Sequence, residues 1–296
     1  MTKMHENEQE VTLELVRALL KEQCPQWADL ELIPVLSSGT DNALFRLGDQ
    51  YVVRVPRIEW SNGSVTNGIN KESVWVPQLA LHLTTPISEP VFKGMPNHTY
   101  PWPWSITIWN EGYNPRFENN NEYEKLAIDL ADFLNELHSI NLPETGPFSR
   151  RGVPLTNLDT ETKKALKALE ADMDTGPLAS LWAELSITPG WDKPPVWMHG
   201  DLLPGNILIQ DNRLSAVIDF ADVGLGDPSC DLIVAWSLLN AHSRAIFRKH
   251  LVNVDEHTWR RGQGWALSIA LIILPYYKNT NPVLTSVARR IIEQSL

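Results

Sequence analysis

The chain has 296 residues, 43% of them hydrophobic and 21% charged, with 36 acidic against 25 basic side chains and a formal net charge of −11. These values fit a folded globular protein of one large domain or two modest ones, with material for a sizeable core. They argue against a disordered chain and against a general nucleic-acid binder, which needs a basic face to neutralise phosphates.

Residues 8–23 read as an amphipathic helix, with Leu15, Val16 and Leu19 on one face. Residues 30–36, 43–47 and 51–55 read as three short strands, with turns at Gly39 and at Gly48-Asp49. Residues 70–83 have helical character, with Pro77 starting or kinking a turn inside. Prolines 86, 90, 96, 101 and 103 punctuate the next stretch, and residues 105–109 alternate like a strand. From residue 121 the pattern turns helical: 123–140, 160–173 and 178–185 are three helices. A β patch at 196–198, 206–209 and 214–218 interrupts them, and the chain after Pro228 is helical again. The nearly apolar run 265–277 contains Ser268 and Pro275 and is too short to span a bilayer, so it reads as a buried helix rather than a membrane segment.

The first ten residues are polar and acidic, without the apolar core of a signal peptide. The two cysteines, Cys24 and Cys230, are too few for a disulfide scaffold and wrongly patterned for a zinc site. Both features point to a cytoplasmic protein. A strand-rich first third and a helix-rich remainder imply an α+β fold with a ligand cleft near their junction.

The strongest chemical signal is His199-Gly200-Asp201-Leu202-Leu203-Pro204-Gly205-Asn206, followed thirteen residues later by Asp219-Phe220. Asp201 follows one short strand, Asn206 enters the next, and Asp219 ends the one after. A carboxylate base, an amide oxygen and a second carboxylate are thereby brought together. Phosphoryl transfer needs these parts: one group to orient the attacking hydroxyl and two oxygen ligands for Mg²⁺ on the nucleotide phosphates. The competing structural reading is that Asp and Asn are simply good loop residues.

In these residues, and in Gly226-Asp227-Pro228-Ser229-Cys230-Asp231-Leu232, the chain resembles the aminoglycoside phosphotransferase family, small-molecule kinases with a protein-kinase-like fold. The likeness runs from about Ser37 to Leu232. It implies a two-lobed α+β fold: a small antiparallel-sheet N-lobe over 1–108 that binds nucleotide, and a larger helical C-lobe over 109–296 that carries the catalytic loop, metal and acceptor. It implies that Asp201 is the catalytic base, that Asn206 and Asp219 bind Mg²⁺, and that His199, Asp227 and Asp231 support the loop and cap a helix.

On the nucleotide side the resemblance assigns Ser37, Ser38, Gly39 and Thr40 to a loop over the phosphates of ATP or GTP. Arg54 stands where protein kinases carry a lysine; Arg is a bidentate phosphate ligand but not its equivalent. Glu72 is its carboxylate partner. Ser105, Ile106, Thr107 and Ile108 form the hinge strand facing a purine edge. Asp222, Trp236 and Tyr276 are candidate acceptor contacts, with a turn role competing for Asp222 and core packing for the aromatic residues.

The implied activity is transfer of the γ-phosphoryl group to a hydroxyl of an antibiotic, by resemblance an aminoglycoside. A macrolide or an ordinary metabolite is the enzymatic alternative. A non-catalytic nucleotide binder is the alternative of another class; Arg54 alone favours it. The nucleotide and the acceptor are the expected partners. Gly226-Asp227-Pro228 arrives within ten residues of Asp219, which leaves little loop to hold a peptide acceptor. The charge is uneven: 1–108 carry a net −4, 109–231 a net −12, and 232–296 a net +5. A basic C-terminal stretch, on the side where the family builds its acceptor wall, favours a less cationic acceptor than the overall −11 suggests.

Overall fold

The computed structural model describes residues 8–36, 39, 41–60, 63–117, 123–142 and 146–296. The chain begins with helix α1 (Leu13–Gln23), which starts at Thr12 because its hydroxyl accepts the Leu15 N–H at 3.2 Å. Three strands follow, β1 (Leu32–Val35), β2 (Asn42–Leu47) and β3 (Tyr51–Pro56), close to the positions expected from alternation. Helix α2 (Ser64–Ala80) begins six residues before the expected start, and Pro77 lies inside it.

The proline-punctuated stretch hides strand β4 (Pro90–Gly94), to which no element was assigned from the sequence. It lies at the edge of the sheet, where a proline's missing N–H is tolerated. Strand β5 (Trp104–Ile108) completes an antiparallel sheet of order β1-β2-β3-β5-β4.

Gly94 pairs with Trp104, and an added Cβ would sit 2.0 Å from the buried Trp104 ring. Gly94→Ala is therefore expected to lower stability by about 1–3 kcal/mol through overpacking. At Gly190 an added Cβ would meet nothing within 4 Å, so Gly190→Ala is expected to leave the urea midpoint almost unmoved. Equal midpoints for the two variants would contradict this account.

The rest of the chain is largely helical: α3 (Glu124–Ser139), α4 (Asp159–Leu169), α5 (Gly176–Ser186), α6 (Val234–Ser237), α7 (Ala241–His250), α8 (Glu256–Tyr277) and α9 (Pro282–Ser295). Two small antiparallel ladders interrupt it. One pairs β7 (Ile207–Gln210) with β8 (Arg213–Val217), the other β6 (Val196–Met198) with β9 (Gly224–Gly226). Strand β9 carries no periodicity to read, being Gly-Leu-Gly. An added Cβ at Gly224 would lie 2.6 Å from the Ser149 nitrogen, so side chains are excluded there by the backbone running alongside.

The buried apolar residues form two clusters. One joins α1 to the sheet through Val16, Leu19, Leu47, Val53 and Ile106. The other gathers the helices around Leu130, Leu134, Trp182, Ile233 and Leu271, and takes in Val76 and Leu79 from the far end of α2. This is the two-lobed α+β arrangement expected from the motifs. The lobes are stitched where Val217 donates its N–H to Pro86 O at 3.0 Å and accepts from Ser88 N at 3.3 Å. Beyond the sheet, Asn114 Nδ2 donates to Gly205 O and Ile207 O, both at 2.9 Å, and so ties the connecting segment to the loop that carries Asn206. Among the described residues, no helix is long and apolar enough to cross a membrane.

Candidate active site

The 199–206 loop leaves β6 with its backbone already anchored. Asp231 accepts the His199 N–H at 3.0 Å and the Gly200 N–H at 2.7 Å, and also meets His138 Nε2 at 3.0 Å. Asp227 caps the following turn, accepting the Ser229 N–H at 3.0 Å, and pairs with buried Arg261 at 2.6 Å. The two aspartates of the second motif thus brace the loop and cap a helical turn, as the resemblance implied.

His199 is fully buried against Phe220. Its Nδ1 accepts the Asp201 N–H at 3.1 Å while Nε2 donates to Ile218 O at 3.0 Å. Those two partners select the tautomer with the proton on Nε2, which makes the ring a strut between the loop and β8. Gly200 has φ +85°, and an added Cβ would lie 2.9 Å from Asp222 O. The loop can turn this tightly because the residue is glycine.

The turn delivers Asp201 beside Asn206, whose Nδ2 donates to Asp201 O at 2.9 Å and to Asp201 Oδ2 at 3.1 Å. Burial pushes the Asp201 carboxyl above its ordinary value, and the neighbouring Arg151 guanidinium pulls it back part of the way. Asp219 adopts φ 65°, a left-handed conformation that Asp tolerates better than most residues, and its N–H donates to Ser88 Oγ at 3.2 Å.

Arg54 makes the decisive connection between the lobes. Its Nη1 donates to Glu72 at 2.6 Å and its Nη2 to Asp219 at 2.7 Å. Burial works against the Arg54 charge, and the two carboxylates outweigh it, so its pKa lies above the ordinary guanidinium value. One rigid fork therefore locks β3, α2 and the start of the Asp219 turn together, which a single ammonium could not do in the same plane.

A cavity of about 420 Å³ opens between the sheet and α2, lined by Asn42, Arg54, Ser105, Lys71, Phe148 and Arg150 among others. Ser105 faces this cavity. Ile106 and Thr107 are buried in the ladder between β3 and β4, and Ile108 is partly exposed. The Ile108 N–H is spent on Glu89 O and the Trp109 N–H on Gln50 O, both bonds of the sheet's own margin. Ser37, Ser38 and Thr40 lie outside the described residues; Gly39 is exposed.

The acceptor candidates divide. Trp236 is a correction: it is 3% exposed, packed at a tilt against Trp259 inside the helical core, and does not line the cavity. Tyr276 is half exposed and meets Trp60, a cavity-lining residue, at 5.9 Å between ring centres. Asp222 is buried and held by two arginines, Arg150 at 2.9 Å and Arg151 at 3.3 Å, which keep its carboxyl below the ordinary value despite burial. Neither arginine was singled out from sequence. They lie in the 146–152 segment, whose one local signal is the adjacent pair Arg150-Arg151.

As a cation site, the pair Asn206 and Asp219 fits a hard divalent ion. The Asn206 amide spends its N–H groups on Asp201, which points to its Oδ1 as a ligand, and Asp219 gives Arg54 only one carboxylate oxygen. Among the described residues no group of three or more His, Cys, Asp or Glu side chains could hold a metal by itself. Two protein oxygens suit an ion whose remaining ligands come from nucleotide phosphates and water.

Comparison with known proteins agrees with this geometry. Aminoglycoside 3'-phosphotransferases of Escherichia coli and Salmonella typhimurium are 24% and 23% identical over 199 residues, 65% of this chain and 71% of theirs. The fold matches the GDP and kanamycin complex of APH(2")-IIia with a TM-score of 0.72 at 18% identity, over 96% of this chain and 98% of that one. It also matches the macrolide 2'-phosphotransferase MphH of Brachybacterium faecium with a TM-score of 0.60 at 16% identity, over 93% and 96%. The model of the phosphotransferase enzyme family covers residues 33–265, from the first strand through the catalytic loop into α8, and the chain belongs to that family.

Proposed function

We propose that this phosphotransferase moves the γ-phosphoryl group of ATP or GTP, as its Mg²⁺ complex, to a hydroxyl of an antibiotic, with an aminoglycoside as the leading acceptor class. The observation that carries the reading is the Arg54 fork, which joins Glu72 and Asp219 across the cleft beside the Asp201–Asn206 pair. Residues 1–108 would bind the nucleotide, with 37–40 over its phosphates and Ser105–Ile108 behind the base. Residues 109–296 would supply base, metal ligands and acceptor wall.

In the reaction the acceptor oxygen bonds to the γ-phosphorus as the bond to the β–γ bridging oxygen breaks. The acceptor proton passes to Asp201, and a nucleoside diphosphate and a phosphate ester leave. Asn206 and Asp219 would hold Mg²⁺, which when bound offsets charge on the phosphates. Arg54 holds Asp219 in place, and Asn206 holds Asp201. Ester formation would put negative charge and bulk on the drug, spoiling a fit that depends on complementary groups.

A second acceptor class, less cationic and of the macrolide kind, is favoured by one feature of the cleft. Asp222 is buried, while around it Arg150 is exposed and Arg151 and Lys71 are partly exposed. Burial lowers the Lys71 ammonium from its ordinary value, with Asp222 opposing that and Arg150 adding to it. Nucleotide consumption should therefore be measured with ATP and with GTP, with and without Mg²⁺, against a panel of aminoglycosides and macrolides, with products weighed by mass spectrometry. A product heavier by one phosphoryl group, formed only with Mg²⁺, is the expected result. Nucleotide binding without ester formation across the whole panel would speak for a non-catalytic binder.

A further inference from the structure

Residues 147–152 run beside β9 and bridge it in parallel at Phe148 and Leu225. Leu225 donates its N–H to Pro147 O at 2.8 Å, Ser149 N–H donates to Leu225 O at 3.0 Å, and Asp227 N–H donates to Gly152 O at 3.0 Å. Ser149 Oγ donates to Asp222 O at 2.7 Å and accepts the Arg151 N–H at 3.1 Å. The backbone on either side of Arg151 is thus tied down, and its side chain is aimed by structure rather than by a solvent-facing rotamer.

The guanidinium is shared between two carboxylates. Nη1 donates to Asp201 Oδ1 and to Gly200 O, the latter at 3.1 Å, and Nε faces Asp222 Oδ2 at 3.3 Å. Arg150 holds the other oxygen of Asp222 through Nε at 3.1 Å and Nη2 at 2.9 Å. The result is a continuous chain, Arg150–Asp222–Arg151–Asp201, ending on the carboxylate whose second oxygen accepts from Asn206. Phosphoryl transfer as described above uses Asp201 and Asn206 and has no part for Arg151 or Asp222.

We propose that Arg151, itself held by Asp222, is a positioning residue that fixes the rotation of the Asp201 carboxylate and so presents one lone pair to the acceptor hydroxyl. The proposal rests on Asp201 being the base. A carboxylate held through one oxygen turns about its own axis; one held through both, by Asn206 on Oδ2 and Arg151 on Oδ1, does not. Misplacing a reacting group by about 1 Å costs about 10²-fold in rate. The planar fork matters as well as the charge, because one guanidinium spans Asp201 and Asp222 together and an ammonium presents only a point.

The test uses the full chain, with kanamycin as acceptor in one arm and water in the other, read in both as formation of the nucleoside diphosphate. Arg151→Ala is expected to lower kcat by about 10²-fold with the KM for nucleotide little changed. Guanidinium ion at a sub-denaturing concentration is expected to restore part of that loss, and to restore nothing to Asp201→Asn. Arg151→Lys is expected to stay well below the wild type. Asp222→Asn is expected to give a smaller loss, and the double variant Asp222→Asn with Arg151→Ala no more than Arg151→Ala alone, since the two act through one chain.

An unchanged kcat in Arg151→Ala, a loss confined to nucleotide KM, or losses that simply multiply in the double variant would each overturn the proposal. If Arg151→Ala does not fold, the comparison of Arg151→Lys with Asp222→Asn and their double variant decides it by the same criterion. Normal turnover in Asp201→Asn, or no Mg²⁺-dependent formation of diphosphate by the wild type in either arm, would remove the underlying reading instead. A dead Asp201→Asn beside a fully active Arg151→Ala would remove this proposal alone.

Discussion

Asp201→Asn is expected to lower kcat by about 10²–10⁴-fold, the range that a positioned general base contributes. The substitution keeps shape and removes the ability to take a proton. It also sets a donor against a donor: Arg151 claims one side of the group and Asn206 Nδ2 the other, so an amide cannot satisfy both. The nucleotide KM should change little, because Arg54, Glu72 and Asp219 do not bond to Asp201. Removing a charge whose pKa burial already raises is not expected to unfold the protein, although Arg151 loses a partner. Initial rates with saturating Mg²⁺-nucleotide, together with a thermal melt, measure both quantities. Turnover within a few-fold of wild type would mean that another group receives the proton.

The proposed base and its companions were legible in the sequence because the relevant spacing is local. His199 to Asn206 is one loop, and Asp219 lies one hairpin further on, so strand–turn–strand reasoning alone brings them together. Arg54 and Glu72 were legible through the resemblance, and the fork that joins them to Asp219 gives that pairing a geometry. Arg151 was not legible. It lies 50 residues from Asp201 in a segment without periodicity, and it reaches the site because 147–152 pairs with a Gly-Leu-Gly strand that also escaped notice. Non-local pairing of short strands leaves almost no trace in a hydrophobic pattern.

Trp236 failed for a different reason. Helical spacing says that one face is covered without saying by what, and here Trp259 covers it. Strand β4 was lost because prolines at an edge resemble prolines in a loop. The charge arithmetic also changes meaning once side chains are placed. In the cleft, Asp201, Asp219 and Asp222 each pair with an arginine, so these three carboxylates of 109–231 are offset where an acceptor would meet them.

Arg54→Met is expected to damage both stability and activity, because it strips the shared partner from Glu72 and Asp219. Removing one member of a buried ion pair costs about 3–5 kcal/mol, since the remaining charge has lost both water and counter-ion. Glu72 is 5% exposed, and burial already pushes its carboxyl up while Arg54 pulls it down. Without Arg54 the folded-state pKa rises further above the unfolded one. A carboxyl raised on folding binds its proton more tightly in the native state, so stability is retained below the unfolded pKa and lost as pH rises through the folded one. The penalty should therefore be larger at about pH 8 than at about pH 5.5, where Glu72 can become neutral. Urea midpoints at the two pH values measure this, and an equal penalty at both would show that Glu72 is not the charge left stranded. In activity, release of Asp219 from the fork should cost about 10²-fold by misplacement. Arg54→Lys should fall between wild type and Arg54→Met, because one ammonium can bond Glu72 or Asp219 well but cannot hold both in a single plane.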